Sequence, residues 1–132
     1  MHISEDELKK KLTPEQYRAL REGGTETPFS GKYVYNKEDG IYVCLVCGAS
    51  LFSSSDKHDT NTPGLIGWPS FSDVLDSKNI ELFDDDNHGM HRIEVKCKNC
   101  GSHLGHLFED ASMPGGKHYC INSVGLDFKP KK

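Results

Sequence analysis

Five cysteines carry most of the chemistry that this sequence offers. Four of them form two copies of one pattern, C-x-x-C followed by glycine, at Cys44 and Cys47 and again at Cys97 and Cys100. This spacing lets two thiolates converge on one ion, and the glycine permits a tight turn that aims backbone N–H groups at the sulfur atoms. Two such knuckles complete a tetrahedral site that suits zinc best and iron second. We expect one structural Zn²⁺ per chain, with no ligand position left for water.

A thioredoxin-like redox pair or two disulfides would use the same residues, but two matched knuckles favour a metal. The segment between Cys47 and Cys97, residues 48–96, is longer than that of a simple zinc ribbon. The metal should therefore join distant parts of the domain. Structural zinc can contribute on the order of ten kcal/mol to folding.

The fifth cysteine, Cys120, stands alone in "GGKHYCINSVGLDF". A free cysteine on a strand is usually a small buried hydrophobe. Strand alternation, however, places the polar His118 and Asn122 on the same face as Cys120. His103 and His106 follow the second knuckle three residues apart, so a turn or bend fixed by the metal could present both imidazoles.

The single tryptophan, Trp68, lies in "GWPSF", where glycine and proline predict a rigid turn that holds the indole near the surface. Taken singly, the histidines could be alternate metal ligands or ordinary polar groups, and the tryptophan could belong to the core. Together they supply a thiolate, proton donors and an aromatic wall, which indicates a redox or acyl-transfer site. A Cys-His hydrolase and a non-catalytic zinc-stapled β module that binds a small ligand or peptide remain alternatives.

Three stretches with a period of two are predicted to be the strands that position these groups. "GIYVCLVC" and "HRIEVKC" each run into a knuckle, and "KHYCINSVGLDF" carries the lone cysteine. In the second stretch a buried face alternates with a wet face that includes Glu94. Between the strands, only "SDVLDS" could form a helical turn.

Two short helices are predicted before the strands. Ser4 and Glu7 have capping-box spacing, and Thr13, Pro14 and Gln16 supply a second helix start. The second helix should end at Gly23 and Gly24. We predict a mainly β fold in one domain, residues 1–132, with a helical extension (1–24) and a zinc-stapled β core (25–132) that contains two antiparallel sheets.

Composition limits the classes of partner. The chain has 132 residues, is 35% hydrophobic and carries a net charge of −4 without a basic run, which argues against nucleic acid. No segment has the length and apolarity of a signal peptide or a membrane helix, so we expect no membrane association. The odd cysteine count favours a reducing, cytoplasmic setting, unless a targeting segment has been removed.

The motifs "CxxCG", "GWPSF", "GMHRIEVKCKNCGSHLGHLFED" and "HYCINSVGLDF", in this order, resemble the B-type methionine sulfoxide reductases. The resemblance implies two antiparallel sheets and a zinc site away from the active site. It also implies that the R epimer of methionine sulfoxide in oxidised proteins or peptides is reduced by Cys120, with His103, His106 and Asn122 as polar catalytic residues. Trp68 would pack on the methyl group of the substrate. These expectations describe a repair enzyme of the oxidative stress response, which we expect to be a monomer.

Two positions depart from the family pattern. Many members carry a second, resolving cysteine where this chain has Ile66, so no cysteine outside the metal set remains to form an internal disulfide. We therefore expect thioredoxin or a low-molecular-weight thiol to reduce the sulfenic acid of Cys120 directly. His118 stands where many members carry arginine, so the means of activating Cys120 is an open question.

Overall fold

The computed structural model describes residues 5–21, 29, 31–58, 67–85 and 92–130 of the chain. These residues form two α-helices and nine β-strands. They are α1 (Glu5–Lys11), α2 (Pro14–Arg21), β1 (Gly40–Cys44), β2 (Ser50–Ser53), β3 (Lys57–His58), β4 (Ser70–Phe71), β5 (Ile80–Asp85), β6 (Arg92–Cys97), β7 (His103–Glu109), β8 (Lys117–Ile121) and β9 (Leu126–Pro130).

The strands form two antiparallel sheets. The smaller sheet has the order β2-β1-β9, and the larger has the order β3-β4-β8-β7-β6-β5. The expected mainly β architecture with two N-terminal helices is thereby confirmed. Neither of the helices described has the length or apolar character needed to cross a membrane.

An aromatic cluster joins the two sheets. Phe71 of β4 stacks on Phe52 of β2, with 4.4 Å between ring centroids, and meets Tyr42 of β1 edge-on at 5.2 Å. All three side chains are fully buried. Aromatic pairs in these arrangements stabilise a core beyond the area that they bury, so this cluster fixes the larger sheet against the smaller one.

Helix α2 begins with the predicted capping box. The Thr13 N–H donates to Gln16 Oε1 at 2.9 Å, and the Gln16 N–H donates to Thr13 Oγ1 at 3.1 Å. The helices contribute the buried Leu8 and Leu20 to the main core cluster. The predicted cap at Ser4 and the predicted helix end at Gly23 and Gly24 lie outside the described residues.

Two local predictions are wrong. The stretch "KHYCINSVGLDF" is two strands rather than one, because β8 ends at Ile121 and a 3₁₀ turn, Ser123–Gly125, carries the chain to β9 in the other sheet. The stretch "SDVLDS", residues 72–77, is not helical up to Asp76; a 3₁₀ turn, Ser77–Asn79, begins only at its last residue. The carboxylate of Asp76 caps that turn by accepting the Lys78 N–H at 3.0 Å, so the helical turn begins only after Asp76.

Candidate active site and metal centre

The two cysteine knuckles meet at one point. The sulfur atoms of Cys44, Cys47, Cys97 and Cys100 all lie within 4.8 Å of one another. Cys44 Sγ is 3.6 Å from Cys100 Sγ, and Cys47 Sγ is 3.5 Å from Cys97 Sγ. Cys44 ends β1 of the smaller sheet and Cys97 ends β6 of the larger one, so the cluster joins the sheets and could hold a metal ion.

Both knuckles turn in the same way. The Gly48 N–H donates to the Cys44 carbonyl at 2.8 Å, and the Gly101 N–H donates to the Cys97 carbonyl at 2.7 Å. The two glycines have φ values of 77° and 78°, in the left-handed region that side chains rarely adopt. The predicted role of these glycines in the turns is confirmed.

The thiols strongly influence one another. Hydrogen bonding to Cys100 raises the pKa of Cys97 to about 12 and also raises the pKa of Cys44, whereas hydrogen bonds with Cys44 and Cys97 lower the pKa of Cys100. Four sulfur atoms this close oppose full ionisation unless a cation balances their charge. The donor set therefore fits a soft cation.

Helix α2 is tied to the second knuckle. Arg21 Nη1 donates to the Cys100 carbonyl at 3.0 Å and to Ser102 Oγ at 3.5 Å, and Arg21 Nη2 pairs with Glu5 at 3.2 Å. Ser102 Oγ is in turn 3.2 Å from Cys100 Sγ. One guanidinium thus links both helices to the metal centre.

The lone cysteine lies in the middle of the larger sheet. Cys120 on β8 is half-buried, and its cross-strand partners are His106 on β7 and Ser70 on β4. Residues directly opposite in an antiparallel pair share a face of the sheet, with Cβ atoms about 4.5–5.5 Å apart. His106 and Ser70 therefore flank Cys120 on one face.

A bulge in β7 brings the two histidines together. Both histidines lie on β7 rather than on a turn, and the bend that presents them is a bulge in that strand. Residues three apart on a regular strand face opposite sides. Glu94 pairs with His106, but Lys96 pairs with His103, so β7 contains one residue more than β6 in this interval. The extra residue returns both imidazoles to one face, with ring centroids 5.3 Å apart.

His103 is held by a carboxylate that we had expected to be solvated. Its Nδ1 lies 2.6 Å from Glu94 Oε2, and the imidazole is only 4% exposed. Burial lowers the pKa of His103, and Glu94 partly opposes that effect. The imidazole is thus neutral at pH 7, with Nδ1–H donating to Glu94. Its Nε2 is buried and has no hydrogen-bond partner among the described residues, so it is an acceptor available to a ligand or to water.

His106 has a carboxylate of its own. Its Nε2 lies 2.8 Å from Asp85 Oδ2, and the same oxygen pairs with Arg92 at 3.5 Å. A carboxylate fixed in this way sets the tautomer and orientation of an imidazole. Protonated His106 would keep Nε2–H on Asp85 while Nδ1–H remained available as a donor.

The remaining predicted site residues lie near the end of β8. Asn122 is buried directly after the strand, and its N–H donates to the Leu104 carbonyl at 2.9 Å. The half-buried Trp68 precedes Pro69, whose carbonyl accepts the Ile121 N–H at 3.0 Å. The "GWPSF" segment therefore runs alongside the end of the strand that carries Cys120.

Sequence reasoning missed a second buried chain of polar groups. His118 Nε2 lies 2.8 Å from Ser70 Oγ, and His118 Nδ1 lies 2.9 Å from Asp110 Oδ2. It also missed the carboxylates of Asp85 and Glu94, which hold the two histidines. Gly105, where a side chain would overlap the Cys120 carbonyl oxygen, was missed as well. The sequence carries no local signal for these carboxylates. Each meets its histidine across strands, so the pairing depends on strand register.

Strand alternation separates the metal centre from the histidine face. Val95 and Cys97 of β6 are fully buried, whereas Glu94 between them lies on the opposite face with His103. The cysteine cluster and the polar group around Cys120 thus use opposite faces of one strand.

Comparisons with known proteins agree with this arrangement. The SelR domain family matches residues 12–130. A peptide methionine sulfoxide reductase MsrB of Methanosarcina barkeri is 57% identical over 129 residues, covering 98% of this chain and 88% of that protein. A Synechococcus protein of the same name is 50% identical, with 99% and 93% covered. The mouse mitochondrial methionine-R-sulfoxide reductase B3 is 51% identical, with 97% and 49% covered.

A two-sheet β fold with a four-cysteine cluster on one face of β6, and a half-buried thiol beside two carboxylate-bound histidines on the other, fits a thiol-dependent oxidoreductase. The chain belongs to the SelR domain family, the B-type methionine sulfoxide reductases.

Proposed function

We propose that this chain reduces the R epimer of methionine sulfoxide in oxidised proteins and peptides, with Cys120 as the nucleophile. The observation that carries the proposal is the register of the larger sheet, which sets Cys120 opposite His106. The names of relatives at 50–57% identity over nearly the whole chain support the substrate class.

The first step transfers oxygen from the substrate to the enzyme. The Cys120 thiolate attacks the sulfoxide sulfur and forms an S–S bond, and a proton is delivered to the oxygen on which charge develops. The hydroxyl then transfers to the Cys120 sulfur as the S–S bond and the substrate S–O bond break, which releases methionine and leaves Cys120 as sulfenic acid. We assign His106 as the proton donor, since protonated His106 would have Nδ1–H free while Nε2–H stays on Asp85. Neutral His103 would accept a hydrogen bond from a water that donates to the same oxygen.

Asn122 and Trp68 complete the proposed site. Asn122 would orient the substrate, and the Trp68 indole would pack on the methyl group of the substrate. A site that distinguishes methyl from oxygen on the same sulfur atom selects one epimer. Both residues lie at the end of β8 that follows Cys120, which supports this assignment.

The second step requires an external reductant. The sequence contains five cysteines, four of which form the metal cluster. Ile66, at the position of the usual resolving cysteine, lies outside the described residues. We propose that thioredoxin or a small thiol attacks the sulfenic acid, which releases water and forms a mixed disulfide. A second thiol then restores Cys120.

We further propose that the metal is zinc, one per chain, with a structural role. Tetrahedral zinc with bonds of about 2.3 Å needs sulfur atoms roughly 3.8 Å apart, near the 3.5 and 3.6 Å observed for two pairs. Thiolate ligands and a Cys120 outside any disulfide suit a reducing compartment, and we propose a cytoplasmic monomer that folds as one domain, residues 1–132. Elemental analysis should give one zinc per chain.

Turnover of a dabsylated methionine R-sulfoxide with dithiothreitol tests the activity. The parent protein should reduce the R epimer and leave the S epimer, and Cys120→Ser should be inactive. Lys10→Ala, at an exposed position of α1, serves as the control. Absence of R-epimer reduction by a zinc-loaded, folded parent would refute the proposed function.

Mass analysis after turnover without reductant tests the single-cysteine cycle. Cys120 should gain one oxygen and react with dimedone. A loss of two hydrogens in place of that gain would show an intramolecular disulfide and would contradict the proposed cycle.

A further inference from the structure

The last residue of α2 lies against the outside of the second cysteine knuckle. Arg21 Nη1 donates to the Cys100 carbonyl at 3.0 Å and to Ser102 Oγ at 3.5 Å. Arg21 and Cys100 are 79 residues apart in the sequence, so this is a tertiary contact rather than a local one. Ser102 is completely buried. The guanidinium therefore joins the helical part of the chain to the residue that carries one of the four clustered sulfur atoms.

The groups around Ser102 fix the direction of its hydroxyl group. A guanidinium can only donate, so Ser102 Oγ accepts the hydrogen bond from Arg21. The other group in contact with this hydroxyl is Cys100 Sγ, 3.2 Å away. A thiolate has no proton to donate. When Cys100 is ionised as a metal ligand, the Ser102 O–H therefore donates to its sulfur, and Arg21 holds the hydroxyl in that direction.

We infer that Arg21 and Ser102 are positioning residues of the metal centre, which hold the Cys100 sulfur as a hydrogen-bonded ligand and make retention of the metal depend on the docking of α2. Arg21 acts at two points, because it fixes the backbone of the knuckle through the Cys100 carbonyl and directs the Ser102 hydroxyl onto the sulfur. Groups that orient metal ligands in this way typically contribute about 10–100-fold to metal affinity. The inference rests on the metal centre of the proposed function.

The support is confined to one knuckle. In the part of the chain that the structure describes, no side chain outside the cluster hydrogen-bonds to the sulfur of Cys44, Cys47 or Cys97. Cys100 alone has such a partner within the same residues, and that partner is Ser102. The metal centre is therefore asymmetric, and we expect loss of the metal to be governed by whether the Cys100 sulfur stays in place.

Glu5 of α1 orients the guanidinium. Its Oε1 accepts from Arg21 Nη2 at 3.2 Å and from Arg21 Nε at 3.4 Å, so that edge of the guanidinium faces α1 and Nη1 is left to face Cys100. The Glu5 side chain is 54% exposed in this pair, and solvent weakens the attraction between such charges. Glu5→Gln should therefore speed release of the metal less than Arg21→Ala does.

The first test is the rate at which zinc passes from the folded, zinc-loaded protein to an excess of a chromogenic chelator. Ser102→Ala and Arg21→Ala should each release zinc about 10–100 times faster than the parent. Arg18→Ala, at an exposed position of α2, should match the parent. The second control is Ser70→Ala, which also removes a buried serine hydroxyl, 2.8 Å from His118 Nε2, but makes no hydrogen bond to the cysteine cluster. Its release rate should stay near that of the parent.

The second test is ¹¹³Cd NMR of the cadmium-loaded protein, because a hydrogen bond to a ligating sulfur alters the electron density that the metal experiences. Ser102→Ala should shift the ¹¹³Cd resonance, and Ser70→Ala should not. The same variant keeps the test available should Arg21→Ala fail to fold, since it leaves the bond from Arg21 to the Cys100 carbonyl in place.

A parental release rate in Ser102→Ala would overturn the inference, as would an unchanged ¹¹³Cd resonance in that variant. Equal acceleration in Ser102→Ala and Ser70→Ala would also overturn it, because zinc would then be lost through general destabilisation. A parent protein without bound zinc would refute the proposed metal centre itself, and elemental analysis shows that result separately. Neither test needs a sulfoxide, so the proposed reductase activity is judged independently.

Discussion

The pairing of His103 with Glu94 makes a quantitative prediction for Glu94→Gln. The Nδ1 to Oε2 distance is 2.6 Å, and the imidazole is nearly inaccessible. Glutamine can still accept from Nδ1–H, so the tautomer and the ring position should be kept while the charge is removed. A hydrogen bond to a charged group contributes about 1.5–3 kcal/mol and a neutral one about 0.5–1.5 kcal/mol. The substitution should therefore destabilise protonated His103 by roughly 1 kcal/mol and lower its pKa further.

This change has a definite sign in the pH dependence of stability. Burial already lowers the pKa of His103 below its ordinary value of 6.5. Between those two values the unfolded chain binds more protons than the folded one. Stability from this group is therefore fully present above pH 6.5 and is lost as pH falls toward the lowered pKa, by at most about 1.4 kcal/mol per pH unit. In Glu94→Gln the loss continues to lower pH.

Urea unfolding at several pH values measures the effect. Glu109→Gln is the matched control, because Glu109 is an exposed glutamate on the same sheet. Below the pKa of His103 in the parent, Glu94→Gln should lose roughly 1 kcal/mol more than the control. Parallel loss of stability in the two variants, or an upward movement of the His103 titration in imidazole spectra, would refute the reasoning.

Other substitutions test the supports of the site. Gly105→Ala should destabilise the protein by about 1–3 kcal/mol or more and reduce turnover, because its Cβ would overlap the Cys120 carbonyl oxygen; thermal melts would show this. Arg21→Ala should cost about 1–3 kcal/mol, since it leaves the Cys100 carbonyl unpaired, whereas Arg18→Ala, at an exposed position of the same helix, should be nearly neutral. Zinc removal by a chelator should abolish the cooperative melt, because a structural site contributes on the order of ten kcal/mol; an unchanged melt would contradict the structural role.

The parts of this fold that could be predicted from the sequence are those with local causes. The capping box at Thr13 and the strands that run into the knuckles depend on residues within a few positions. The glycines after the knuckles are required by the left-handed turns. The meeting of the four cysteines was predictable as well, because two copies of one motif leave few other uses for four thiols.

The parts that could not be predicted depend on register and on tertiary pairing. The strand breaks after Ile121 because β8 and β9 pair with strands of different sheets. The alternation of residue types in the sequence continues through this break, so it does not reveal where one strand ends. The wet face assigned to Glu94 is the face that carries His103, which only the pairing of β6 with β7 reveals. The same pairing shows the bulge that brings the two histidines together, which the sequence alone does not indicate.

The bulge has a consequence for how the site is built. Without the extra residue in β7, His103 would face the core side with Val95 and Cys97, where its imidazole would have no carboxylate. The bulge occurs directly after the second knuckle, whose turn is closed by the Gly101 N–H to Cys97 carbonyl bond of 2.7 Å. The turn of the second knuckle thus fixes the point at which β7 starts, and the bulge returns His103 to the face that carries Glu94. The cysteine knuckle on one side of β6 therefore sets the histidine register on the other.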